Sequence, residues 1–279
     1  MACEPPRDWL LIRGLGREAA HWGPFPEALV AALPAGSRVH ALDNPGVGSE
    51  RAAKAPLTLR ATSADLLRRW EALRAAQGMT EPWGVVGISM GGMLALDMAA
   101  LDMAAGADAA RAGGEAARSG LAAVCVVNSS GAKGTTLRQR LTPRAAGAML
   151  RCLLLPRHAR EAAMLRVTVR DEACVAQLLP SFQALAEARP LPFRTFMAQL
   201  AACSRWRAPT AVSVPVLFVN SLGDELCAPD CSVALAQSLR APLRSHPSAG
   251  HDLPAEDPAW LASTVRAWVD AGTPRHADW

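Results

Sequence analysis

"VVGISMGGML", Val85 to Leu94, decides how the rest of this 279-residue sequence is read. An apolar run of strand character, Trp83–Ile88, leads into Gly87-Ile88-Ser89-Met90-Gly91, and a helical segment follows at once. The pattern is G-x-S-x-G between a strand and a helix. A serine on so tight a turn is pushed out of the sheet with its hydroxyl exposed, and the glycines are needed because the turn has no room for side chains. Three fixed residues are a weak signal alone. The strand before and the helix after are what the motif demands. Ser89 is therefore the candidate nucleophile, and the backbone N–H of Met90 is a candidate donor to a developing oxyanion.

Outward from this turn, apolar runs of strand length alternate with helical patterns. The expected strands are Trp9–Arg13, Arg38–Leu42, Trp83–Ile88, Ala122–Val127, Pro215–Asn220 and Leu243–His246. Ser63–Gln77 places Leu66, Leu67, Trp70 and Leu73 on one helical face, and Pro258–Ala271 does the same with Leu261, Val265, Trp268 and Val269. Such alternation predicts an α/β fold, a mostly parallel sheet flanked by helices. It fails once, from residue 131 to 208, where helical patterns are punctuated by Pro143, Pro156, Pro180, Pro190 and Pro192. The expected organisation is a core of 1–130 and 209–279 with 131–208 inserted as a helical cap or lid. "LDMAALDMAA", Leu96 to Ala105, reads as a small duplication within one helix. "GADAARAGGEAARSG", Gly106 to Gly120, reads as a mobile or weakly helical connection.

Charge separates along the chain. The 131–208 block carries thirteen basic and four acidic residues, net +9, against −5 for the remainder. This could favour an anionic substrate, but arginines on a solvated helical face are the preferred reading. Lys54 and Lys133 are the only lysines and tyrosine is absent, a bias of composition rather than of partner. A dispersed formal charge of +4 does not argue for nucleic acid. "MACEPPRDWLLIRG" lacks the basic start and long apolar stretch of a secretory signal. Trp83–Ala107, interrupted by Asp97, Asp102 and glycines, reads as too polar for a membrane span. A soluble cytoplasmic protein is expected. Seven cysteines at irregular spacing, with no C-x-x-C pair, point to packing residues rather than disulfides or zinc.

A serine hydroxyl needs a base to take its proton, and the base needs orienting. Of six histidines, His251 in "SAGHDLPAEDP" lies in a loop between the last expected strand and the last helix. His246 sits at the end of the strand itself, His21 and His40 belong to the first units, and His276 to a polar tail. For the acid, "VLFVNSLGDELCAP" places Asp224 just past a strand, with Glu225 and Asp230 as fallbacks. Each candidate is on a loop after a strand. Loops at one sheet edge converge although their residues are far apart in sequence.

With these residues the chain resembles the α/β-hydrolase superfamily over most of its length. "GISMGGM" is similar to the family's serine turn, "GDELCAP" to its acid loop, "GHDLPAEDP" to its histidine loop, and "DNPGVGSE", Asp43 to Glu50, to the D-x-P-G-x-G loop after its second parallel strand. The resemblance implies a Ser89-His251-Asp224 triad and a covering cap. The family's two N-terminal antiparallel strands are missing, and Arg13-Gly14 stands where many relatives have His-Gly.

The loop after the first strand admits two readings. Gly14-Leu15-Gly16-Arg17-Glu18-Ala19 is also G-x-G-x-x-A, which can cradle a dinucleotide, with Asp43 posing as the ribose-binding acid. A dinucleotide fold needs the helix to start within the glycine loop. Gly23, Pro24 and Pro26 instead delay the helix, so the loop is better read as the oxyanion loop. By resemblance, the N–H of Leu15 is the second oxyanion donor. The expected activity is hydrolysis of a small-molecule carboxylic ester through an acyl-enzyme, needing neither cofactor nor metal. Relatives also act on amides, thioesters and C–C bonds. Serine at the turn argues against dehalogenase and epoxide-hydrolase chemistry, which in the family uses aspartate there. A ligand-binding receptor or scaffold with little turnover is the alternative from another class.

Overall fold

The computed structural model describes residues 5–111, 119–131 and 134–275. Among them lies a six-stranded, all-parallel sheet in the order β2-β1-β3-β4-β5-β6. The strands are β1 Asp8–Ile12, β2 Arg38–Leu42, β3 Trp83–Ile88, β4 Leu121–Val127, β5 Val216–Ser221 and β6 Leu243–His246. β2, β3 and β6 have the expected bounds, and the others shift by one residue.

The inner strands β1, β3, β4 and β5 are buried on both faces, their successive side chains serving opposite sides of the sheet, while the edge strands β2 and β6 are only partly buried. Leu10, Ile12, Val85, Val124, Val126 and Phe218 pack with α2 (Leu59–Ala76), α3 (Met90–Arg111) and α9 (Asp230–Leu239). Trp9, Leu11, Val86, Val127 and Val219 pack on the other side with α1 (Phe25–Ala32), α10 (Leu253–Glu256) and α11 (Pro258–Asp270). In α11, Leu261, Val265, Trp268 and Val269 are all buried, at about 1.5–3 kcal/mol of hydrophobic stabilisation each. α2 starts a turn earlier than its apolar stripe suggests, because the Thr58 hydroxyl accepts the Ala61 N–H and caps it.

By composition and length, Met90–Ala109 could cross a bilayer, despite Asp97 and Asp102. Met90, Leu94, Leu96 and Met98 are instead buried in the core, Asp97 accepts the Trp206 indole N–H, and Asp102 accepts the Ser119 N–H. The repeat "LDMAALDMAA" lies within this helix. Of the connection after it, α3 takes 106–111, while 112–118 are outside the described residues.

Among the described residues the segment between β4 and β5 contains helices and no strand: α4 Leu137–Arg140, α5 Pro143–Leu154, α6 Arg157–Thr168, α7 Glu172–Ala188 and α8 Phe193–Arg205. Pro143 opens α5 and Pro156 and Pro192 precede α6 and α8, but Pro180 is carried inside α7. Val175, Leu178 and Phe182 are buried along that helix, so packing outweighs the hydrogen bond that a proline removes.

The chain steps from β1 out to β2, then crosses back over β1 to form β3. Loops leaving β1 and β3 therefore diverge, and a crevice opens at the carboxyl ends of these strands. The β1 loop and Ser89 both face it.

Candidate active site

Ser89 joins β3 to α3 with φ +58°, in the left-handed region that costs a non-glycine residue about 1–2 kcal/mol. Hydrogen bonds hold it there. Its N–H donates to the Val127 carbonyl (2.9 Å), and its own carbonyl accepts the Gly92 N–H (3.0 Å) and the Ser129 hydroxyl (2.8 Å). The flanking glycines are sterically obligatory. A Cβ on Gly87 would lie 2.2 Å from the Gly91 carbonyl oxygen, and one on Gly91 would lie 2.0 Å from that of Ile12.

The β1 loop closes on the serine from the neighbouring strand. A Cβ on Gly14 would stand 3.5 Å from Ser89 Oγ. Leu15 and Met90 line the same cavity as Ser89, and neither backbone N–H donates to an acceptor among the described residues. The Gly16 N–H is occupied by Gln199 Oε1 on α8 (2.8 Å).

His251 and Asp224 meet across two loops, with Nδ1 and Oδ2 2.7 Å apart and both side chains buried. The other carboxylate oxygen of Asp224 accepts the N–H groups of Leu226 (2.8 Å) and Cys227 (2.9 Å). His251 lines the cavity with Ser89, while Asp224 stands behind it. A carboxylate so held fixes the tautomer, with the proton on Nδ1 and Nε2 left as acceptor.

The remaining candidates are engaged elsewhere. His246 accepts the Ser248 and Ala249 N–H groups through Nδ1 and packs edge-on to Trp260. His21 accepts the Glu18 N–H. Burial, reinforced by the charges of Arg17 and Arg13, pushes it down to about 2 and keeps it neutral. His40 packs against Trp70 and is lowered by burial. His276 lies outside the described residues. Glu225 pairs with Arg144 and Arg170, and Asp230 is exposed at the start of α9.

Asp43 is also used up structurally. It accepts the Ala19 N–H (2.6 Å), the Ser49 N–H (2.7 Å) and the Ser49 hydroxyl (2.9 Å). After β1 comes a short 3-10 turn, Ala19–Trp22, and the first α-helix waits until Phe25. The glycine loop therefore does not face a helix N-terminus, as a dinucleotide cradle must.

Two features at the site were not read from sequence. Asn128, at φ +44° just past β4, donates to the His251 carbonyl (2.8 Å) and the Ser221 hydroxyl (3.0 Å), and accepts the Ser221 N–H (2.8 Å). It ties the loops after β4, β5 and β6 together. Its position at a strand's carboxyl end was the available signal. The second is Arg13, which makes a bidentate pair with Asp252 (2.8 and 2.6 Å), both side chains almost fully buried. The β1 loop and the histidine loop are thereby joined. Burial alone would raise Asp252, but the charge and hydrogen bonds of Arg13 outweigh it and hold the carboxyl below its ordinary value.

The cavity has a volume of about 480 Å³, within the range of small-molecule sites. Its wall is largely apolar, including Met93, Met149, Met164, Leu141, Leu200 and Leu226. Among the described residues no group of three or more His, Cys, Asp and Glu side chains could hold a metal ion. The arrangement places a serine hydroxyl, an oriented imidazole and two unpaired backbone donors around one largely apolar cavity.

Residues 9–264 match the sequence model of the alpha/beta hydrolase family. A search of curated proteins finds no match. Solved structures share the fold. An esterase from Thermogutta terrifontis superposes with a TM-score of 0.64 at 18% identity, covering 97% of this chain and 92% of that one. A hydrolase from Pseudomonas aeruginosa PA01 gives 0.67 at 19% identity over 96% and 91%. The 2-hydroxy-6-oxo-6-phenylhexa-2,4-dienoate hydrolase of Rhodococcus sp. strain RHA1 gives 0.68 at 19% identity over 94% and 89%.

Proposed function

Since the chain belongs to the alpha/beta hydrolase family, we propose that it is a serine hydrolase cleaving a small-molecule carboxylic ester or related acyl substrate. One observation carries the reading: Ser89, on its left-handed turn, shares a cavity with His251, whose Nδ1 lies 2.7 Å from Asp224. His251 Nε2 takes the Ser89 proton as Oγ attacks the acyl carbon, and the N–H groups of Leu15 and Met90 hold the oxyanion. Each such donor is worth about 3–4 kcal/mol to the transition state. The imidazolium, stabilised by Asp224, returns the proton to the leaving oxygen, and an acyl-enzyme remains. Water then repeats the sequence and frees the acid and Ser89. Residues 131–208 act as a cap on the core of 1–130 and 209–279. The presence of Met149, Met164 and Leu200 on the cavity wall supports that role.

Labelling with a fluorophosphonate, read by intact mass on the parent and on Ser89→Ala, tests the proposal. One adduct on the parent and none on the variant is expected. A folded parent that takes no adduct and turns over no activated ester would overturn the reading and leave a ligand-binding protein on the hydrolase fold.

A further inference from the structure

The +9 helical block raised the question of an anionic substrate, and the cavity wall now separates its arginines. Arg144 and Arg170 pair with Glu225 and Arg189 pairs with Glu18, so these pin helices to loops of the core. Arg138 and Arg140, on α4, line the cavity. So do Arg13 and Arg17, but each of those is matched by a carboxylate, Asp252 and Glu161 respectively. Among the described residues the one acidic side chain on the wall, Asp252, is thus already committed to Arg13. Arg140 has only neutral partners among the described residues: the Cys203 carbonyl at 2.7 Å, with the Ser204 carbonyl and the Ser130 hydroxyl both at 3.5 Å. Arg138 makes no ion pair or side-chain hydrogen bond among the described residues.

Arg140 has a structural use, since its two carbonyl partners end α8 and a cation there is favourable. That use anchors the guanidinium without neutralising it. A positive charge on the wall of an apolar, partly enclosed space attracts an anion more strongly than the same charge in open water, and a guanidinium whose three nitrogens donate to neutral acceptors keeps that charge. Its direction is defined as well. Ser130, within reach of Arg140, directly follows Ser129, whose hydroxyl holds the carbonyl of Ser89. The charge therefore stands on the β4 side of the nucleophile, with methionine and leucine side chains completing the wall.

We infer that this cavity takes substrates carrying a carboxylate, an acyl chain with its scissile carbonyl at Ser89 and its anion at the guanidinium of Arg140, flanked by Arg138. The inference rests on the serine-hydrolase reading for its chemistry and on the unpaired arginines for its charge. The substrate class is an ester or thioester whose acyl group also carries a carboxylate and fits a cavity of about 480 Å³.

The test compares mono-p-nitrophenyl adipate with p-nitrophenyl methyl adipate, a pair differing only in the free carboxylate. kcat/KM is measured on the parent, and Kd by calorimetry on Ser89→Ala, where no turnover intervenes. The carboxylate ester should be favoured by about tenfold or more in both measurements, the effect of one charge-assisted contact. Arg140→Gln, which keeps a donor for the Cys203 carbonyl, should cut both ratios several-fold. Arg144→Gln, whose parent arginine serves Glu225, should leave them as they are. Equal handling of the two esters, or a preference for the methyl ester, would overturn the inference while leaving Ser89 chemistry intact. Preferential binding of the carboxylate with no hydrolysis of either ester would overturn the hydrolase reading and leave the anion site standing.

Discussion

Replacing Arg13 with leucine probes how firmly the β1 loop and the histidine loop are joined. In the parent, two hydrogen bonds of 2.8 and 2.6 Å link Arg13 to Asp252, with side chains 3% and 4% exposed. Removing one partner of a buried pair leaves an uncompensated charge and costs about 3–5 kcal/mol. With an unfolding entropy of about 2.1 cal/mol/K per residue, a chain this long should lose about 5–9 °C in Tm. The pH dependence identifies the cause. In the parent the folded-state value of Asp252 is lowered, so its contribution is present above the unfolded carboxylate value and lost as pH falls through the folded one. In Arg13→Leu, burial without the guanidinium raises the folded value, so the penalty at neutral pH fades as the carboxyl gains its proton. The gap in Tm should be widest near about pH 7.5 and clearly smaller near about pH 4.5, read by circular dichroism. Arg13→Leu/Asp252→Leu should recover most of the loss, since paired apolar replacements of buried ion pairs are often neutral. A gap of equal size at both pH values would refute the electrostatic account. It would assign the loss to packing of the guanidinium on Trp22, 5.0 Å away.

Gly91→Ala would place a methyl group 2.0 Å from the Ile12 carbonyl oxygen, forcing β1 and the serine turn apart. Turnover of an activated ester such as p-nitrophenyl acetate should fall by about a hundredfold or more relative to the parent, because small misplacements of reacting groups are that costly; near-parental turnover would show that the turn tolerates a side chain. Asn128→Ala strips the His251 carbonyl and the Ser221 N–H of their partner. At about 1–3 kcal/mol for each buried group left unsatisfied, urea unfolding should show a loss of at least about 2 kcal/mol, and an unchanged midpoint would mean that water replaces the amide.

Much of the fold was legible because it depends on local periodicity. The inner strands β1, β3, β4 and β5 could be placed within a residue from apolar runs, since burial on both faces of a parallel sheet leaves a continuous apolar signature, and α11 from its stripe of Leu261, Val265 and Trp268; the edge strands β2 and β6 are half-buried and carry only short mixed runs. Helix α9 carries no such signature. Its buried Cys231, Ser232, Leu235 and Ala236 form too faint a stripe, and it packs on β5, β6 and α4 only in the tertiary fold. The candidate site was legible where chemistry follows chain order: Ser89 after β3, Asp224 after β5 and His251 after β6.

What the sequence by itself determined was the set of strands, the α/β class and the loops on which reactive side chains stand, because each depends on residues near one another in the chain. Only the tertiary structure decided which charges cancel. Arg13 meets Asp252 across 239 positions, Glu18 meets Arg189 across 171, and Arg140 meets carbonyls instead of a carboxylate. The whole basic block looks alike in sequence, but an ion pair depends on a few ångströms in space. Strand order sets that distance, and spacing along the chain does not.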